Sequence, residues 1–334
     1  MRFPQGCDII YVARKIKLKG VLKMRETTRE IFDKHEIRKT KEQRRSFRAW
    51  LTSYARSQGY AVGEDKISKG AANVIVGNPA EADVIYTAHY DTCAVMPFPN
   101  FITPKCFTIY IIYQLILTAV LFIVPITVMF ILAPMVLKAT GSDAIYTAML
   151  MGGYALLLGI LMLMRYGPAN KHTANDNTSG VTLLIDIMTD MPAEMRHKVA
   201  YIFFDVEELG MIGSRSYRKS HQKIATTKPV INFDCVSDGK SILFAVRKSA
   251  SSLAPKLTEA FRSNDTYSVE VATKGVFYPS DQMSFRLGVG VAALRKTKGG
   301  LLYMNKIHTP RDTVYDEENI EFLKCGAIDL VRII

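Results

Sequence analysis

Cysteine is scarce in this 334-residue chain. The five that occur, Cys7, Cys93, Cys106, Cys235 and Cys325, are odd in number, and none stands in Cys-x-x-Cys spacing. That argues against a disulfide framework and predicts free thiols in a reducing compartment. Acidic residues are also in the minority, 31 against 43 Lys and Arg. The excess is uneven: residues 1–60 hold 16 basic and six acidic residues, so +10 of the net +12 lies there. No aromatic-basic sheet pattern and no helix-turn-helix pattern accompanies this charge, which argues against nucleic acid as a partner. A basic face against anionic lipid fits it better. No signal peptide is expected, because the apolar stretch Ile9 to Ala13 is short and runs straight into Arg14-Lys15. There is no internal repeat and no low-complexity tract. What remains is room for one large α/β domain with an insertion, and a 49% hydrophobic content that supports a sizeable core.

Charge is missing altogether from two stretches. Phe107 to Leu137 contains none over 31 positions, and Ala144 to Met164 none over 21. About 20 apolar residues span the ~30 Å hydrocarbon core of a bilayer, so the pattern predicts a transmembrane helical hairpin over 107–164. Pro125 predicts a kink, and Lys138 to Asp143 a polar tip of six residues. A hairpin returns the chain to its starting side. Lys105, Arg165 and Lys171 flank its base, so the positive-inside rule places the soluble domain in the cytoplasm and the tip outside. The predicted organisation is a basic N-terminal region (1–39), a discontinuous domain (40–106 and 165–334) and the hairpin between its two parts.

Thr40-Lys-Glu-Gln43 reads as a capping box, followed by a helical stripe of Phe47, Trp50, Leu51, Tyr54 and Ala55. Short apolar runs predict strands at 74–76, 84–86, 199–204, 230–233, 241–246, 268–272 and 291–294, and a last helix over 317–331. Several of these runs end in a carboxylate or imidazole. Val199 to Phe204 is the clearest: it stops at Asp205, then Val206 and the pair Glu207-Glu208. Adjacent residues point in different directions, so one glutamate can bind metal while the other moves protons. His89 and Asp91 have the i, i+2 spacing that puts both on one face of a strand. Asp91 is a candidate to hold the free ring nitrogen of a metal-binding imidazole. Asp176, in the polar loop 174–180, is either a metal ligand or a helix cap. Asp234 ends another strand, and His308 stands in a loop before Pro310. Histidines and carboxylates at the ends of strands are sufficient for a two-metal site.

Five blocks resemble the co-catalytic zinc aminopeptidases (metallopeptidase family twenty-eight): His89-Tyr-Asp91, Asn175-Asp-Asn-Thr-Ser-Gly180, Glu207-Glu-Leu-Gly210, Asn232-Phe-Asp234 and His308-Thr-Pro-Arg-Asp-Thr313. They stand in that family's order. The resemblance implies an α/β fold with a mixed, mostly parallel central sheet flanked by helices. It also implies two Zn2+, or other divalent cations. His89 and Asp234 would bind one, Glu208 and His308 the other, and Asp176 would bridge them. Glu207 would be the general base, taking a proton from the attacking water and passing it to the leaving amine, and Asp91 would orient a neighbouring ligand. Ser280, Asp281 and Gln282 match the family's substrate loop, with Gln282 where Ser-Asp-His is common. The hairpin is a second departure, since ordinary secreted members lack it.

The function expected is a membrane-anchored, zinc-dependent aminopeptidase acting on peptides, with membrane lipid as its other partner. The alternatives are a catalytically inactive scaffold on the same fold, or a related amidohydrolase, carboxypeptidase or glutaminyl-cyclase-type enzyme. Side-chain specificity and oligomeric state are not legible in the sequence.

Overall fold

The computed structural model describes residues 24–96 and 98–334. Most of the basic N-terminal region, Cys7 included, lies outside the described residues. Nine strands form one sheet among the described residues: β1 (Val62–Ser68), β2 (Ala71–Val76), β3 (Val84–His89), β4 (Val199–Phe204), β5 (Pro229–Phe233), β6 (Ser241–Val246), β7 (Ser268–Ala272), β8 (Leu287–Lys296) and β9 (Leu302–Tyr303). Their order is β1-β2-β4-β3-β5-β8-β6-β7, with β9 paired to β8. The centre, β4-β3-β5-β8, is parallel, and antiparallel pairs join β1, β2, β6 and β9 to it. This is the mixed sheet expected from the sequence.

The central strands are buried along their whole length. Helices therefore cover both faces, and the strands read as unbroken apolar runs. The covering helices include α1 (Glu26–His35), α2 (Lys41–Ser57), α5 (Ser179–Asp190), α6 (Ile212–Ser220), α7 (Gln222–Thr227), α8 (Ala254–Ala260) and α9 (Glu317–Ile333), while α3 (Phe107–Thr127) and α4 (Asp143–Tyr166) belong to the insertion. The capping box at Thr40 is formed: its side chain accepts from Gln43 N–H while Gln43 reaches back. The phenol of Tyr86, fully buried on β3, donates to the Ala327 carbonyl of α9 at 2.6 Å, tying sheet to helix.

Register decides what meets at the sheet's end. His89 pairs with Phe204, and Thr87 with Asn232. Two residues beyond Asn232 comes Asp234, so His89 and Asp234 stand level, with Asp205 to Glu208 emerging alongside. The carboxyl ends of three neighbouring parallel strands thus deliver the acids and the imidazole to one edge.

The uncharged stretches form two long helices. The first, α3 (Phe107–Thr127), continues through a π-helical turn (Val128–Leu132) and a further α segment (Ala133–Thr140), and α4 spans Asp143–Tyr166. Both are long and apolar enough to cross a membrane by length and composition, with window hydropathies of 2.9 and 2.0. Only 11% and 6% of those windows are buried within the chain, so these are not core helices of this domain. The irregularity expected at Pro125 is a π-helical turn three residues later. Pro134 lacks the N–H that would bond to the Phe130 carbonyl, and its ring crowds that carbonyl inside the π turn. The tip is tighter than the six residues expected. Lys138 to Thr140 stay helical, Gly141 caps the first helix in the left-handed region (φ 65°), and the Ser142 hydroxyl accepts from Ile145 N–H to start the second. Gly153 lets the two helices approach: a Cβ there would lie 2.3 Å from Met129 Cγ.

Both legs of this insertion are sewn to the domain. Ala94 bridges Ala169, and Ile102 bridges Met304. Phe277 N–H donates to the Pro104 carbonyl at 2.8 Å while its ring packs edge-on against Phe107. Met96 N–H donates to the His308 carbonyl at 2.8 Å.

Candidate metal centre

His89 is the last residue of β3 and is 1% exposed. Beyond β4 the chain turns sharply. Val206 adopts φ 60°, an unusual conformation for a β-branched residue that costs about 1–3 kcal/mol. This turn parts Asp205 from the glutamate pair. Asp205 faces away, towards α2, where Arg44 Nε lies at 2.9 Å and Arg48 Nη1 at 3.3 Å. Glu207 and Glu208 face the sheet edge instead. His308 also has a left-handed backbone, φ 61°.

Asp176 sits between two groups of side chains. Its Oδ1 is 3.3 Å from His89 Nε2, and its Oδ2 is 3.0 Å from His308 Nε2. On the first side, His89 Nε2 lies 3.6 Å from Asp234 Oδ1. On the second, His308 Nε2 lies 3.2 Å from Glu208 Oε2. The ligand atoms of His89, Asp176 and Asp234 fall within 4.8 Å of one another, as do those of Cys93, Glu208 and His308. One carboxylate therefore offers an oxygen to each group.

Buried carboxylates fix the loops that carry these side chains. Asp91 accepts from Glu207 N–H at 2.9 Å and from Glu208 N–H at 3.2 Å, while His89 Nδ1 lies 3.6 Å from its Oδ1 and 3.2 Å from its carbonyl. Asp312 does the same for the other loop, accepting from Asn175 N–H at 2.9 Å and Asp176 N–H at 3.0 Å. Asn177 ties that loop to the sheet: its Nδ2 donates to the Phe233 carbonyl and its Oδ1 accepts from Cys235 N–H. The peptide between Asp176 and Asn177 is cis.

The electrostatics mark the place as one for cations. Burial alone would depress the His89 imidazole, but Asp176, Asp234 and Asp91 override it and hold it well above the ordinary histidine range. His308 behaves alike: burial opposes its charge, and Cys93, Glu208 and Asp176 favour it. Asp176 is pulled down by the two imidazoles despite its burial. Burial pushes Glu207 and Glu208 up, and their neighbouring carboxylates add to this. Asp234 Oδ1 and Glu208 Oε1 are buried with no hydrogen-bond partner. Unpaired buried acceptors among so many carboxylates are costly unless a cation compensates them. Imidazole nitrogen with carboxylate oxygen is the donor set that zinc prefers. The residues present therefore fit divalent cations. Glu208 differs from Glu207 in its Oε2 lying 3.2 Å from the His308 imidazole.

The substrate-loop residues turn inward. The Ser280 hydroxyl donates to Asp234 Oδ2 at 2.6 Å and accepts from Asn232 Nδ2 at 2.9 Å. Gln282 donates to the Tyr278 carbonyl at 2.6 Å and accepts from Asn232 Nδ2 at 3.2 Å, packed against Gly290. Asp281 is fully buried, and burial raises it to about 7. In this arrangement Ser280 and Gln282 support Asp234 and the sheet. Cys93 stands in the sequence as one scattered thiol, yet its i, i+2 spacing from Asp91 continues the step from His89 to Asp91. Asp312 falls within the His308 to Thr313 block, but nothing in the sequence ties it to its partner Asp176, 136 residues away.

Residues 160–330 match the sequence profile of Peptidase family M28. The chain belongs to that family. No curated protein matches it by sequence. Solved structures of the same fold include Porphyromonas gingivalis glutaminyl cyclase, at 16% identity and TM-score 0.56, covering 92% of this chain and 95% of that one. A Zn-dependent exopeptidase from Parabacteroides distasonis matches at 14% identity and TM-score 0.54 over 91% and 97%. The Legionella pneumophila aminopeptidase LapA matches at 13% and 0.53 over 92% and 69%. At these identities the likeness is one of fold. Membership supports a hydrolase of the metallopeptidase kind, and the glutaminyl cyclases among the structures of this fold leave the exact reaction open.

Proposed function

We propose that this family M28 chain is a membrane-anchored aminopeptidase with two zinc ions or other divalent cations. The observation that carries the proposal is Asp176, whose two oxygens face His89 at 3.3 Å and His308 at 3.0 Å. His89, Asp234 and Asp176 would hold one cation, and Glu208, His308 and Asp176 the other. Zinc, when bound, supplies a Lewis acid that acidifies water and polarises a carbonyl. Glu207 is then the proton carrier. It receives the proton of the attacking water and returns it to the amine nitrogen as the peptide bond breaks. Its buried setting, which pushes its carboxyl up, suits a group that must both accept and release a proton. Asp91 holds Glu207 and Glu208 in register through their N–H groups. Ser280 keeps Asp234 aimed at its cation, and Asp281 and Gln282 shape the wall behind.

The two apolar helices would anchor the chain, with lipid as their partner. On this reading the peptidase domain is discontinuous, residues 40–106 and 165–334, around the hairpin 107–164. The basic base of the hairpin favours a cytoplasmic domain with the tip outside.

Amine release from a panel of aminoacyl and peptide substrates, with and without a chelator, tests this reading. Chelator-sensitive release of N-terminal residues supports it. Ammonia release from N-terminal glutamine without peptide cleavage would point instead to cyclase chemistry, which the glutaminyl cyclases of this fold make the competing outcome. Full metal content with no turnover would favour a scaffold.

A further inference from the structure

Resting on the two-cation reading above, we infer that Cys93 is a thiolate ligand of the cation held by Glu208 and His308, and so makes the two cations unequal. The Cys93 sulfur lies with the ligand atoms of Glu208 and His308, all within 4.8 Å of one another, and the residue is 6% exposed. Glu208 Oε1, in a side chain 7% exposed, has no hydrogen-bond partner in the same group. The position of the cysteine is set by its backbone. Thr92 Oγ1 accepts from Arg38 N–H at 3.0 Å, and the Ala94–Ala169 bridge follows immediately. Asn170 then clamps the cysteine to the histidine loop. Its N–H donates to the Cys93 carbonyl at 3.1 Å, and its side-chain Nδ2 donates to the carbonyl of Thr309, next to His308, at 3.1 Å.

With Cys93, this side has four protein donors: one sulfur, one imidazole nitrogen, and oxygens of Glu208 and Asp176. Four such donors complete the tetrahedral set of a closed zinc site, whereas a catalytic zinc keeps a position open. The side of His89, Asp234 and Asp176 has three donors, and so retains that position. Sulfur also selects zinc or cadmium over manganese and magnesium, which prefer oxygen. The thiolate side is then the more enclosed and the more zinc-selective of the two.

The test uses the full chain in detergent, stripped and reloaded with cobalt(II). A thiolate ligand gives a sulfur-to-cobalt charge-transfer band in the near ultraviolet. The band is expected in the native protein and is lost in Cys93→Ser, while the visible d–d bands persist. Cobalt uptake with visible bands but no charge-transfer band overturns the thiolate assignment and leaves the two-cation reading intact. A charge-transfer band that survives in Cys93→Ser overturns it equally. No cobalt uptake by the native protein overturns both. Should Cys93→Ser fail to fold, cadmium-113 resonance on the native chain decides. Two signals are expected, one displaced downfield as sulfur coordination requires; two signals both in the nitrogen and oxygen range overturn the assignment.

Discussion

Asp91 binds the glutamate pair by its backbone: Glu207 N–H donates to one carboxylate oxygen at 2.9 Å and Glu208 N–H to the other at 3.2 Å. The same carboxylate faces His89 Nδ1. One side chain therefore sets the position of a metal-side imidazole and of both glutamates. Asp91→Asn keeps the shape but replaces one acceptor oxygen with a donor that faces an N–H. The expected result is a kcat about 10–100-fold lower, the usual scale for losing an outer partner of a metal ligand. Steady-state kinetics with metal analysis on the purified variant checks it. Unchanged kcat would remove Asp91 from the positioning role.

Glu207→Gln tests the proton carrier. The amide cannot accept a proton, yet it fills the same space and leaves the backbone contacts to Asp91 intact. Activity should fall about 10²–10⁴-fold while metal content per chain stays at the native value. A fully active variant refutes the assignment, and loss of metal would move Glu207 into the ligand set.

Asp312 is the counterpart of Asp91 on the opposite loop, accepting from Asn175 and Asp176 N–H. Asp312→Asn should weaken metal retention roughly 10–100-fold, because Asp176 loses half of its backbone anchor. Competition against a graded series of chelators measures this directly. Circular dichroism on the same sample separates it from unfolding.

Excising 107–164 should release the domain from membranes. Ala94 already pairs with Ala169, so a short polar linker closes the gap with the sheet untouched. The intact chain is expected in the detergent-soluble fraction, and the excised chain in the aqueous supernatant after high-speed centrifugation. An intact chain that stays in solution without detergent would end the anchoring proposal.

Asp186 gives a pH dependence of stability that is independent of the site. It is buried on α5, and burial raises its carboxyl from 3.8 to about 7 despite Arg25 Nε at 3.3 Å. Below pH ~4 the group is protonated folded or unfolded, and its contribution to stability is complete. Between ~4 and 7 the folded chain keeps a proton the unfolded chain has lost, so stability falls as pH rises. At 1.36 kcal/mol per pH unit, the loss amounts to at most ~4 kcal/mol above pH 7. Asp186→Asn should remove that fall. The variant's Tm should gain on the native protein from pH 4.5 to pH 8 in parallel thermal scans. A constant difference would show that Asp186 titrates normally.

The sheet's working edge was legible because its strands are buried on both faces. Val199 to Phe204 and Val84 to Tyr86 carry no polar alternation to confuse them, and each stops at a group that can bind metal. Strand β1 (Val62–Ser68) was not legible. It is an edge strand whose sequence, Val-Gly-Glu-Asp-Lys-Ile-Ser, is mostly solvated and carries its pairing in backbone bonds to β2. The hairpin was visible as missing charge, but not its π turn or its two-residue tip, which depend on local backbone choices at Pro134 and Gly141. At the site, the residues with chemistry stood out by type. Their supports did not: Asp312, Asn170 and the strained Val206 matter only through partners far away in sequence or through a backbone angle. Ser280 and Gln282 show the reverse, a recognisable motif whose side chains point into the protein.

The amide of Met96 rests on the carbonyl of His308 at 2.8 Å, a short way before the first apolar helix begins. On the proposed anchoring, a tilt of that helix would bear on the backbone that carries His308, and the proposed enzyme assayed in thin and thick lipid should work at different speeds.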